Sequence, residues 1–265
     1  MRKNVLIKSL CILCITIITS CSSDDADKDT TPDEKSILIK KITETIYYSN
    51  DSETSTSDFV YDKNVLKSVT SGTGYKSEFE YNGDKITKVS YSRNGTASGF
   101  TTFNYNGDLL SATLSGEKQD EKTEYFYTNG ILSSEKSGYT NNGTYIVQNE
   151  LSYSYDNSKN LTETIKKSSM FGSETISKEK YFYDTKNHPM KFMNKYYRLV
   201  FDIEGFDGKT TNNVTSRESY YPITVETPTY YTYAIVYNDD NFPVEIKKIS
   251  KANNFVISKT VIEYQ

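Results

Sequence analysis

One short pattern recurs along almost the whole chain: an aromatic-x-Tyr pair, a turn of Asn, Asp or Gly, and an apolar residue five or six positions after the Tyr. The copies read FVYDKNVL (59–66), FEYNGDKI (79–86), FNYNGDLL (103–110), YFYTNGIL (125–132), YSYDNSKNL (153–161), YFYDTKNHP (181–189) and IVYNDDNFP (235–243). The terminal IEYQ opens an eighth copy that stops before its turn. Residues two apart on a strand share a face, so Phe79/Tyr81, Phe103/Tyr105, Tyr125/Tyr127, Tyr153/Tyr155 and Tyr181/Tyr183 each place two rings on one side. Asn82-Gly83, Asn106-Gly107 and Asn129-Gly130 tolerate positive φ and are strong hairpin-turn pairs. In two copies the next apolar residue falls three positions further on (Leu66/Val69, Ile86/Val89), which breaks strict alternation and predicts a bulge.

A unit this short cannot bury its own apolar face, so the copies must stack side by side. The expectation is an all-β fold: an antiparallel hairpin meander forming one long, twisted and curved sheet, a half-pipe or roll, with a two-layer sandwich as the alternative. The anchoring Tyr residues fall at 61, 81, 105, 127, 155, 183, 237 and 264. The wide gap between 183 and 237 reads as a copy that has lost its Tyr turn, with Asn212-Asn213-Val214-Thr215 opening its return strand. The interruption from Lys191 to Lys209 has room for a short helix or an ordered loop.

The first twenty residues stand apart from the repeat. Arg2, Lys3 and Lys8 precede an apolar run from Ser9 to Thr19, too short to span a bilayer of ~30 Å. The run ends in Ile18-Thr19-Ser20-Cys21, which resembles the lipobox of bacterial lipoproteins. That resemblance implies cleavage before Cys21 and acylation of that cysteine, an effectively permanent anchor at ~0.8 kcal/mol per buried methylene. An ordinary secretory peptide with a chance cysteine is the competing reading. Cys11 and Cys14 lie in the removed segment, so the mature chain carries no disulfide and no cysteine metal site. From Ser22 to Glu34 six acids face one lysine, the composition of a solvated tether. The stretch also resembles the acidic signal that sends Bacteroidetes-type lipoproteins to the outer face of the outer membrane. The expected organisation is a signal peptide at 1–20, a lipidated acidic tether at 21–36 and a single repeat domain at 37–265.

Three of the 31 Lys+Arg lie in the signal and none of the 35 Asp+Glu, leaving 28 against 35 and a mature net charge near −7. No basic run exceeds two residues, which argues against a nucleic-acid partner. With 24 Tyr and no Trp, the chain suits a sheet whose rings are buried on their faces while the hydroxyls reach a polar neighbour.

Tyr-Asp/Asn-x-x-Gly/Asn-x-Leu at this spacing is similar to the YD repeats of bacterial Rhs-type and teneurin shells. With the lipobox and acidic leader, the chain resembles YD-repeat-like surface lipoproteins of Bacteroidetes, mostly of uncharacterised function. The similarity covers about 59–264. Only Tyr61, Tyr155 and Tyr183 are followed by Asp, so the copies are degenerate. The resemblance implies curved β-sheet architecture and a glycan or envelope protein as partner, and it transfers no catalytic residue.

Signatures of chemistry are sparse. His188 is the only histidine, stands before Pro189 in a predicted turn, and has no G-x-S-x-G nucleophile elbow to serve. Ser71-Gly72-Thr73-Gly74 reads as a turn between strands rather than a phosphate loop. Asp156-x-Ser158-x-Asn160 and Asn238-Asp239-Asp240 cluster oxygens as calcium loops do, yet ordinary hairpin turns use the same residues. Asp202, Glu204 and Asp207 are the acids available to a carboxylate-dependent hydrolase of extracellular polysaccharide, the alternative function. No catalytic residue, metal or cofactor is assigned. Tyr196, Tyr197, Tyr220, Tyr221, Tyr230 and Tyr231 fall outside the repeat; adjacent tyrosines on a strand face opposite ways, which makes these six the candidates for a ligand surface. The function expected is that of an outer-membrane-anchored, surface-exposed lipoprotein with a non-catalytic binding or structural role.

Overall fold

The computed structural model describes residues 36–116, 118–170, 173–201 and 206–265. The signal peptide, Cys21 and nearly all of the tether lie outside them. Sixteen strands follow one another among the described residues: β1 (Ile39–Tyr47), β2 (Ser52–Asp62), β3 (Val65–Ser71), β4 (Tyr75–Asn82), β5 (Lys85–Arg93), β6 (Thr96–Asn106), β7 (Leu109–Ser115), β8 (Glu121–Thr128), β9 (Ile131–Asn141), β10 (Thr144–Tyr155), β11 (Leu161–Met170), β12 (Ser173–Tyr183), β13 (Val214–Tyr220), β14 (Thr229–Tyr237), β15 (Pro243–Ser250) and β16 (Val256–Tyr264). One helix, α1 (Lys195–Val200), interrupts them. Each strand pairs antiparallel with its sequence neighbours, and β1 pairs with β16, so the sheet closes into a barrel. This corrects the expected half-pipe, roll or sandwich. Closure pairs both strands that an open sheet would leave with bare edges.

The closing seam is itself a repeat unit, split between the chain ends. Tyr264 faces Ile39 across the seam as Tyr81 faces Ile86 and Tyr105 faces Leu110. The backbones of Leu38 and Gln265 exchange hydrogen bonds of 3.3 and 2.9 Å. The Tyr strand without a turn at the C-terminus thus finds its return strand at the start of the domain. The gap between Tyr183 and Tyr237 is also corrected: Tyr183 pairs directly with Val214, so no copy has degenerated. Its turn has instead grown into the segment 184–213.

The predicted bulge is present in every copy. Each register shifts at the Tyr, leaving an extra residue on the return strand at 67, 87, 111, 133, 162, 215, 244 and, across the seam, 40. A bulge frees the carbonyl opposite it. In five copies the bulged residue supplies the partner: the hydroxyls of Thr87, Ser111, Ser133, Thr162 and Thr215 donate to the carbonyls of Glu80, Asn104, Phe126, Ser154 and Phe182 at 3.0–3.2 Å. A bulge at one end of every hairpin adds twist there, bending the meander until its ends meet.

The rings of the repeat face inward. Phe59, Phe79, Phe103 and Tyr125 are buried, with Tyr61, Tyr81, Tyr105 and Tyr127 packed beside them. The alternate, outward positions carry ion pairs: Lys88–Glu80 (3.4 Å), Lys122–Glu124 (2.5 Å), Lys136–Glu150 (3.5 Å), Lys167–Glu174 (2.7 Å) and the triad Lys247–Glu245–Lys259 (3.0 and 2.8 Å). A barrel of sixteen strands is wide enough to hold a water channel. Here the described residues of the enlarged turn, 184–201 and 206–213, plug the turn end. Asn194 caps α1, its Oδ1 accepting from the amides of Tyr196 (2.9 Å) and Tyr197 (3.2 Å), while its Nδ2 donates to the Asp84 carbonyl at 2.7 Å. Tyr196 donates to the Asp108 carbonyl at 3.0 Å. On the far flank the buried Asn160 side chain accepts from the Thr210 hydroxyl (3.0 Å) and the Asn212 amide (2.9 Å). Hairpin turns on both sides therefore hold the plug.

Candidate functional site

The opposite end, where β1 meets β2 and β3 meets β4, stays open, and a cavity of about 410 Å³ lies below this mouth. Its floor is apolar. Ile42, Phe59, Val69 and Phe79 come from the barrel wall, and Tyr197 and Phe201 from the plug. Tyr197 and Phe201 stack with centroids 5.0 Å apart, and Phe79 packs on both at 5.6 and 5.7 Å. The wall above is polar and small: Ser55 and Ser57 of β2 and Ser77 of β4 project into the cup, with Ser71, Thr73 and Tyr75 at the rim. Inward alternation along β1 runs Ile42, Glu44, Ile46, which sets one carboxylate into this wall between Thr260 and Ser55 of the neighbouring strands. Glu44 is 7 % exposed, and its Oε2 has no hydrogen-bond partner. A buried carboxylate oxygen left without a donor costs free energy that the fold alone does not recover.

A second cavity, of about 440 Å³, lies at the plugged end between α1 and the turns of β6–β9. Three of its charged groups are already engaged. Arg198 donates to the carbonyls of Gly208 (3.1 Å) and Thr210 (2.5 Å), Asp108 pairs with Lys85 (3.0 Å) and Lys209 pairs with Asp207 (3.8 Å). The mouth cup is smaller, yet its unsatisfied group is a carboxylate oxygen, whereas that of the second cavity is the neutral Tyr127 hydroxyl, and that makes the cup the better candidate.

The six tyrosines outside the repeat do not come together. Tyr196 and Tyr197 lie on a helix rather than a strand, 1 % and 4 % exposed; Tyr197 floors the mouth cup and Tyr196 lines the second cavity. Tyr220 is on the outer face, donating to Glu218 at 2.8 Å, with the Lys178 ammonium 4.5 Å from its ring. Tyr221 is 69 % exposed beyond β13. Tyr230 is an exposed outer residue, and its neighbour Tyr231 faces inward between Arg217 and Lys248, 4.9 and 4.6 Å from its ring. Burial, with the nearby Arg217 second, lowers the Lys248 pKa below the usual lysine value.

Other sequence candidates resolve individually. Asp202 and Glu204 lie outside the described residues, and Asp207 spends an oxygen on the Lys209 amide at 2.9 Å. Asp156 and Asn238 close their turns by accepting from the amides of Asn160 (2.8 Å) and Phe242 (2.9 Å). No group of three or more potential metal ligands occurs among the described residues. His188, expected in a turn, is 2 % exposed, because the enlarged turn folds back into the barrel. Its Nδ1 accepts from the Met190 amide at 3.2 Å, and burial followed by the nearby Arg198 charge holds its pKa well below the ordinary imidazole value. The residue that sequence reading missed is Glu44. Its signal was a lone acid on the inward side of Ile42-Thr43-Glu44-Thr45-Ile46, legible only once the inward face is assigned.

No family model and no curated protein matches this chain. Solved structures do share its fold. A porin-like protein from Bacteroides uniformis superposes with a TM-score of 0.56 at 11% identity, covering 86% of this chain and 98% of that one. A porin-like protein from Bacteroides vulgatus gives a TM-score of 0.52 at 15% identity, covering 87% of this chain and 99% of that one. At these identities the likeness establishes the barrel and nothing about ligand or transport.

Proposed function

We propose that the chain is a lipid-anchored outer-membrane protein whose barrel stands in water as a non-catalytic binding receptacle, attached through acylated Cys21. The observation that carries this reading is the ion-paired outer wall. A lysine on the lipid face of a barrel costs about 2–4 kcal/mol near the bilayer midplane. Lys88, Lys122, Lys136, Lys167, Lys247 and Lys259 all point outward from the strands. Together their cost rivals the ~5–15 kcal/mol that stabilises a typical domain. In water the same pairs are harmless, each contributing at most about 1 kcal/mol.

The plug gives further support, since a lumen blocked by α1 and its aromatic neighbours is no route for solutes. The porin-like neighbours therefore lend the shape of a barrel to this reading and not a pore. Ser36, where the described chain begins, hydrogen-bonds Asn64 at the plugged end. Val60, Phe126, Phe182 and Val236 are exposed on the outer face at that end, suited to lying nearest a lipid surface. The open mouth then points away from the membrane, toward whatever the protein meets.

Reconstitution of the purified full-length protein in planar bilayers tests the reading. It predicts no stepwise conductance at any applied potential, and acyl labelling that depends on Cys21. Discrete channel openings would reject it.

A further inference from the structure

From the mouth cup we infer a ligand class: a small organic ammonium ion with an apolar, preferably aromatic body. The inference rests on the receptacle reading above and goes further by naming what the receptacle holds. Three observations converge. The Glu44 carboxylate is more than nine-tenths buried in the cup wall and one of its oxygens lacks a donor. Among the described residues that line the cup there is no Lys, Arg or His, so this negative charge has no cationic neighbour in the lining. The floor presents the rings of Phe59, Phe79, Tyr197 and Phe201.

An ammonium satisfies all three together. Its N–H groups supply the donors the carboxylate lacks, in a charge-assisted hydrogen bond. Aromatic faces attract a desolvated cation through the ring quadrupole. The apolar body fills the floor, where burial is favourable at about 25 cal/mol per Å². Ser55, the cross-strand neighbour of Glu44, adds a hydroxyl acceptor, and Ser57 and Ser77 add others along the cup wall. At about 410 Å³ the cup holds roughly fourteen water volumes of about 30 Å³ each, room for a single-ring amine and too little for a folded peptide. An anion is disfavoured by the uncompensated carboxylate. A neutral alcohol of the same shape donates one hydrogen bond and brings no positive charge to the carboxylate.

The test is calorimetric titration of the detergent-solubilised full-length protein with three probes of one shape: 2-phenylethylammonium, 2-phenylethanol and 3-phenylpropionate. The expected order places the ammonium roughly tenfold or more above the alcohol, with the carboxylate unbound. Glu44→Gln should bring the ammonium down to the level of the alcohol, and a thermal melt of the variant reports whether it folds. The three-probe comparison on the unaltered protein decides the matter even if it does not. An alcohol or carboxylate that binds as well as the ammonium overturns the ligand class and leaves the receptacle standing. Failure of all three probes to bind overturns both.

Discussion

The Tyr105 hydroxyl donates to the carbonyl of Ile86 at 2.7 Å, reaching back one copy along the barrel. The same step joins Tyr81 to Leu66 (2.8 Å), Tyr183 to Leu161 (2.6 Å) and, beside the closing seam, Tyr264 to Pro243 (2.7 Å). Each acceptor is the return-strand residue that faces the preceding copy's Tyr. In these four copies the Tyr fills the barrel with its ring and ties neighbouring hairpins with its hydroxyl.

Tyr105→Phe should cost about 1 kcal/mol, the net value of one hydrogen bond plus part of the penalty for stranding a buried carbonyl. Tyr61 provides the contrast, because its buried hydroxyl has no partner. Tyr61→Phe should be neutral or stabilising. Urea denaturation of both variants checks the difference, and equal losses would mean the ladder contributes nothing.

The plug is seated by rings. Phe79→Ala removes the side chain that contacts both Tyr197 and Phe201, and should destabilise the protein by about 3–5 kcal/mol, the range for a buried aromatic cut to Ala. Proteolysis within 184–213 should accelerate in the same variant. Unchanged protection of that segment would show that the turns alone hold it.

Gly208 makes a separate demand on the plug. A Cβ there would sit 2.1 Å from the Arg198 carbonyl oxygen, a backbone atom of α1 that cannot move alone. Gly208→Ala should cost about 1–3 kcal/mol through overpacking. A variant as stable as the parent by thermal melting would show that the plug tolerates a looser fit.

Sequence alone exposed the strands, the rings sharing one face and the bulge in two of the copies, since each is written within one copy. Closure was harder. It depends on Tyr264 meeting Ile39 across the length of the chain, and no local pattern encodes that contact, although a Tyr strand without a turn and an apolar start without a Tyr strand are complementary halves. The Tyr183 turn misled for a related reason: spacing cannot distinguish a lost copy from an insertion of equal length. The burial of His188 followed from that insertion folding inward. Glu44 became visible as a site only when the register gave it a cavity to face.

Acid should weaken the fold through His188. Its pKa is depressed in the native state, by burial first and Arg198 second, while the unfolded chain titrates near ~6.5. The unfolded state then binds more protons as pH falls below that value, so stability is full above it and declines beneath it, at up to about 1.4 kcal/mol per pH unit. His188→Asn, whose Oδ1 can accept the Met190 amide, should flatten this decline between about pH 7.5 and 5.5. An identical slope in the variant would assign the effect to other groups.

The central claim is that this barrel lives in water and touches the membrane only through its lipid. Cys21→Ala with the signal peptide otherwise intact tests it most directly, by membrane fractionation without detergent followed by circular dichroism. The account predicts that the variant leaves the membrane and is recovered in the aqueous fraction as a folded, β-rich protein. A variant that stays in the membrane pellet and dissolves only in detergent would contradict it.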